Sequence, residues 1–151
     1  MTQTGISASE WIPEEKLVIT HITGDVDMAG VEEWDNGLQE TLSKVEDNGR
    51  FKILVNLHGF TALDFAAHKR FRTVVPQTLA RYGWKAGYVH LFEEAADMQL
   101  TNTRGISCFA AVHVHQDESK IEKYQAMFGT EKERFLTDPE QAEHWIRGVV
   151  V

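Results

Sequence analysis

Residues 51–67 read Phe51-Lys-Ile-Leu-Val-Asn-Leu-His-Gly-Phe-Thr-Ala-Leu-Asp-Phe-Ala-Ala67, and this stretch decides the fold. Phe51 to Leu57 is too short and too apolar for a surface helix, so it reads as a buried central strand. A short turn follows, and a helix starts at about Asp64. A strand that hands over to a helix brings polar groups to the edge of a sheet, where α/β proteins bind ligands.

The neighbouring segments fit the same plan. Leu17 to Ile22 is short and β-branched, hence a strand, and Gly24 to Asp27 turns the chain so that Asp27 can cap a helix. Val31, Trp34, Leu38, Leu42 and Val45 recur at helical spacing, and Asp47-Asn48-Gly49 ends that helix with residues that tolerate positive φ. Phe71, Val74, Val75, Leu79 and Tyr82 mark a second helix from Asp64 to Arg81, with Pro76 expected to kink or divide it. Ala86 to Phe92 reads as a strand and residues 93–105 as a loop with a short helix. Ile106 to His115 reads as a further strand, by its length and its β-branched end. Ile121, Tyr124 and Phe128 form one helix face before Gly129. Arg134 to Leu136 is a last short strand. Asp138-Pro139 opens the final helix, where the missing proline N–H costs nothing. Residues 1–10 are small and polar and are expected to fray, and Trp11-Ile12-Pro13 to form a short edge element.

The expected fold is therefore a single α/β domain over residues 11–151, with a mixed sheet of five or six strands and four or five helices. A length of 151 residues suits one domain. Hydrophobic content of 42% and charged content of 25% are ordinary for a globular chain. The net charge of −8 argues against nucleic acid and against a basic membrane-binding surface. No apolar run approaches the ~20 residues of a membrane span. The single cysteine, Cys108, sits in an apolar run and reads as a small buried hydrophobe. With no signal-peptide pattern in residues 1–10, a cytoplasmic location is expected.

Two segments carry a family resemblance. Leu54-Val-Asn-Leu-His-Gly-Phe-Thr-Ala-Leu-Asp64 resembles the third-strand signature of STAS domains, the anti-sigma-factor-antagonist or SpoIIAA-like fold. Glu133-Arg-Phe-Leu-Thr-Asp-Pro-Glu-Gln-Ala-Glu-His-Trp-Ile146 is similar to the closing strand and helix of the SpoIIAA-like branch. The likeness runs from Leu17 to Trp145, with residues 83–105 as an insertion. It implies a non-enzymatic binding or regulatory module that acts through protein partners and uses no cofactor. Regulatory STAS domains carry a phosphoacceptor serine directly after the aspartate; here Phe65 follows Asp64, then Ala66 and Ala67. The phosphoserine switch is therefore missing, and Thr61 is the nearest hydroxyl. CRAL-TRIO relatives of the fold hold an apolar ligand, which implies a second reading: a carrier with a closed cavity lined by Phe60, Phe65 and Phe71.

The residues themselves nominate a partner or ligand surface at His58, Thr61, Asp64, Phe65, His68 and Arg70. His68-Lys69-Arg70 with Arg72 is a basic run at a helix start, where the dipole adds positive character; the plainer reading is a solvated face. His113 and His115 share one face of their strand, and with His58 they approach one rim of the sheet. A metal-dependent enzyme built on His58, His113 and His115, with Asp117, is a third reading, against the plainer one of polar strand ends. His21 and His90 read as strand histidines and His144 as an outer-face residue. Ser107 and Cys108 lie near histidines, but no Gly-x-Ser-x-Gly elbow or phosphate-cradling glycine loop accompanies them. Trp11 and Trp84 are the interface candidates for a homodimer, since tryptophan is enriched at interfaces.

Overall fold

The structure is a computed structural model, and it describes residues 5–84 and 98–150. The elements run β1 (Gly5–Ile12), β2 (Leu17–Val26), α1 (Met28–Leu42), β3 (Arg50–Asn56), β4 (Phe60–Ala62), α2 (Phe65–Ala80), a 3-10 turn (Thr103–Gly105), β5 (Ser107–Val114), α3 (Glu118–Phe128), β6 (Glu133–Leu136) and α4 (Pro139–Gly148). They form one α/β domain around a six-stranded mixed sheet in the order β1-β2-β3-β5-β6, with β4 pairing β2 beyond the end of β3. Among the described strands only β1 runs antiparallel to its neighbour; the other pairs are parallel.

Residues 5–10 do not fray. They are part of an eight-residue strand that pairs with β2 in continuous register, Gly5 opposite Gly24 through to Ile12 opposite Leu17. The small polar side chains serve the pairing: Ser9 Oγ lies 2.7 Å from Thr20 Oγ1, which also accepts the buried Trp34 indole N–H at 2.7 Å. The Pro76 expectation is also corrected. α2 runs unbroken through that residue for 16 residues, and the buried ring contributes to the core while the Arg72 carbonyl forgoes its helical donor. The strand expected at Ala86–Phe92 lies outside the described residues, as does His90.

Aspartates start every α-helix among the described residues. Asp27, Asp64, Asp117 and Asp138 each accept from a backbone N–H of the first turn, so each helix begins with one of its orphan donors satisfied. One sheet face carries α1, α2 and α3. There Val18, Ile22, Phe51, Ile53 and Val55 pack on Trp34, Leu38, Leu42, Val74 and Leu79. Trp11 and Trp84, nominated for a dimer interface, are half-buried against this same core. The opposite face carries α4, whose Ala142 and Ile146 cover Leu17, Leu54, Ala110, Val112 and Val114. Lys52, a buried lysine on β3, points to this side and donates to the Val149 carbonyl at 2.7 Å and the Arg147 carbonyl at 3.2 Å. Its cation thereby meets the negative end of α4.

No helix among the described residues is long and apolar enough to cross a membrane.

Candidate functional site

The parallel strands end at one edge of the sheet, and α2 and α3 both begin there. Between them lies a pocket of about 730 Å³, within the range that encloses a small organic ligand. Phe60 from β4, Phe71 and Val75 from α2, Ile121 from α3 and Phe135 from β6 give it apolar walls. Phe60 stacks on Phe71 with ring centroids 3.9 Å apart, and Phe71 in turn stacks on Trp34 at 5.6 Å. The aromatic wall is thus tied into the core.

The turn that delivers Phe60 is held firmly. Gly59 has φ of +89°, and a Cβ there would lie 2.4 Å from Thr23 Oγ1, so only glycine suits the position. Gln116, after β5, fastens the same turn from the other side: its Oε1 accepts from the Gly59 N–H at 2.9 Å and its Nε2 donates to the Phe60 carbonyl at 3.0 Å.

His113 forms part of the floor. Its ring stacks on Phe135 with centroids 4.7 Å apart, and Nε2 lies 2.9 Å from Glu133 Oε2 on the adjacent strand. His115 also lines the pocket; its Nδ1 accepts from the Asp117 N–H at 3.0 Å. Burial holds its pKa below the ordinary histidine value, helped by the charge of Lys120 and opposed by that of Asp117. His68 and Arg72 from α2 and Lys120 from α3 also line the pocket. Burial first, then the charges of Arg72 and Lys120, keep the His68 pKa low.

Of the nominated residues, Thr61, Asp64, Phe65 and His68 do line this pocket. Phe65 is 75% exposed at its mouth, so the cavity is open rather than closed as the carrier reading expected. His58 and Arg70 are not among its lining residues. His58 is exposed in the turn after β3. Arg70 is turned to α1, where its Nε donates to Glu32 at 2.6 Å and its Nη2 to Asp35 at 2.5 Å, so it ties the two helices together. His58, His113 and His115 do not form a ligand set, and among the described residues no three His, Cys, Asp or Glu side chains converge as a metal site requires.

The sequence reading nominates none of Glu133, Lys120, Tyr124 and Gln116 for the site. A signal for Glu133 exists in the alternation of β6, which puts it on the same face as Phe135. Its meeting with His113 depends on the register between two strands 20 residues apart.

Comparison with known proteins finds no matching family model, no matching curated protein and no matching solved structure.

Proposed function

We propose that this chain is a non-enzymatic binding domain of the SpoIIAA-like, STAS-related kind, and that its occupant is a small apolar ligand held between α2 and α3. The observation that carries the reading is the pocket of about 730 Å³ walled by Phe60, Phe65 and Phe71, the three aromatics the carrier reading named. Its place at the C-terminal edge of the parallel strands, beside the Asp64 helix start, is where such sheets bind ligands. The nucleophile candidates support a non-catalytic role. Ser107 and Cys108 sit at the start of β5, the far end of that strand from the pocket, and burial pushes the Cys108 thiol pKa far up. An inert, unpaired thiol also fits a reducing cytoplasm.

A protein-partner role without a serine switch is the second reading. Its support is the apolar pair Leu63 and Phe65, 50% and 75% exposed, at the position where the switch serine of regulatory STAS domains stands.

The test is calorimetric titration of the purified protein with dodecanol, beside an Ala62→Phe variant that fills the pocket from its β4 wall. Binding by the parent chain and its loss in a variant of unchanged circular dichroism supports the ligand reading. A parent chain that binds no dodecanol, and that releases no apolar compound on organic extraction, overturns it.

A further inference from the structure

His115 directly follows β5, and its backbone N–H donates to the Leu136 carbonyl at 3.3 Å, so the sheet carries it one residue past the strand. Its side chain lines the pocket. The ring is fastened by the Asp117 backbone N–H, which donates to Nδ1 at 3.0 Å. Asp117 is itself fixed as the cap of α3. A backbone amide can only donate, and a ring nitrogen that accepts carries no proton. The imidazole is therefore neutral, with its single proton on Nε2. Burial acts in the same direction. Among the described residues no acceptor meets that Nε2–H. It is not sealed inside the protein either, and on the pocket wall it is left to whatever enters. Charges at this edge are mixed. Lys120 and Arg72 line the pocket together with Asp64, and Asp117 stands beside Lys120 and His115. The walls are apolar, so a charged ligand would give up its hydration without a field of one sign to replace it. A neutral oxygen costs less to bury and accepts the waiting proton.

We propose that the occupant carries an uncharged oxygen acceptor, a hydroxyl, ether or carbonyl, that takes the Nε2–H of His115, while its apolar body lies against Phe60, Phe71 and Phe135. This rests on the ligand reading above and adds the polar group by which the ligand is oriented. Apolar pockets fix the direction of a ligand through a few placed polar groups. A hydrocarbon of the same shape would leave the Nε2–H covered and unmet, and a site built to hydrogen-bond an oxygen rejects the analogue that lacks it.

The test titrates 1-octanol, 2-octanone, octanoate and 1-chlorooctane, whose chlorine is a poor acceptor, into the parent chain and two variants. His115→Asn keeps an oxygen near the place of Nδ1, able to accept from the N–H two residues on, but has no donor near Nε2. His115→Gln places its amide N–H near Nε2. The Asn variant is expected to lose about tenfold in octanol and octanone affinity, the worth of one hydrogen bond, with chlorooctane affinity unchanged. The Gln variant is expected to recover most of the loss. In two-bond proton–nitrogen spectra of the parent chain, the His115 proton is expected on Nε2, with that nitrogen shifting on addition of octanol and not of chlorooctane. A proton on Nδ1, an Nε2 signal unmoved by bound octanol, or equal losses for octanol and chlorooctane in His115→Asn overturns the His115 contact and leaves the apolar pocket standing. Octanoate binding tighter than octanol overturns the uncharged assignment. Failure of all four compounds to bind overturns the pocket reading as well.

Discussion

His113 and Glu133 face each other across β5 and β6, Nε2 to Oε2 at 2.9 Å, with both side chains 5% exposed. Water does not reach either group, so each depends on protein partners. Removing one takes a close partner from a buried polar group. His113→Ala is expected to cost about 2–3 kcal/mol in urea denaturation. Glu133→Leu is expected to cost a similar amount, and the double replacement His113→Ala with Glu133→Leu less than the sum. Strictly additive costs would show that the two side chains are not coupled.

Gly59→Ala is expected to lower stability by about 2 kcal/mol or more, since the left-handed backbone and the contact with Thr23 Oγ1 both oppose a side chain. Adding Thr23→Ala removes the contact and leaves the backbone strain. Thermal melts of the single and double variants separate the two costs. A double variant no more stable than Gly59→Ala alone would show that the hydroxyl is not the obstacle.

Arg70→Ala cuts the tie from α2 to Glu32 and Asp35 on α1. All three side chains are partly exposed, so the loss is expected to be modest, about 1 kcal/mol, and to diminish in high salt. Dodecanol affinity is expected to stay unchanged, because Arg70 is not among the residues lining the pocket. A fall in that affinity with stability intact would return Arg70 to the binding surface.

Acidification reads the histidines at the pocket. In the folded chain His68 faces Arg72 and Lys120, and His115 faces Lys120, Asp117 and His58; both imidazoles have lowered pKa values, chiefly through burial. The unfolded chain then binds more protons than the folded one as pH falls through about 6.5 and below, so stability declines on that side. Urea midpoints at about pH 7 and 5.5 are expected to differ less in a His68→Gln, His115→Gln double variant. An unchanged difference would place the titration elsewhere.

Cys108 is buried in β5 with its thiol pKa raised by burial. It is expected to resist thiol reagents in the native state and to react fully in denaturant. Rapid labelling of the folded protein would contradict this placement.

The parts of the fold legible in the sequence were those set by local chemistry. The apolar run from Phe51, the helical spacing of Val31 to Leu42 and the aspartate caps all act within a few residues. β1 was hidden because Ser7 and Ser9 look like tail residues until Thr20 and Ile22 are placed opposite them. The Arg70 ion pairs are hidden for the same reason, since its partners lie 35 and 38 residues back on α1. The aromatic walls could be named in advance, but the approach of Lys120 to His68 could not, because the two stand on different helices.

Lys52 bears on the order in which the molecule comes together. Its ammonium donates to carbonyls 95 and 97 residues later in the chain. Until residues 139–149 have left the ribosome, a strand at the centre of the sheet carries a cation with no dry place to go, beside the uncovered Leu54 and Ala110. The chain is therefore sticky on one side and charged at its middle until α4 is made, and the last turn of that helix seals both at once.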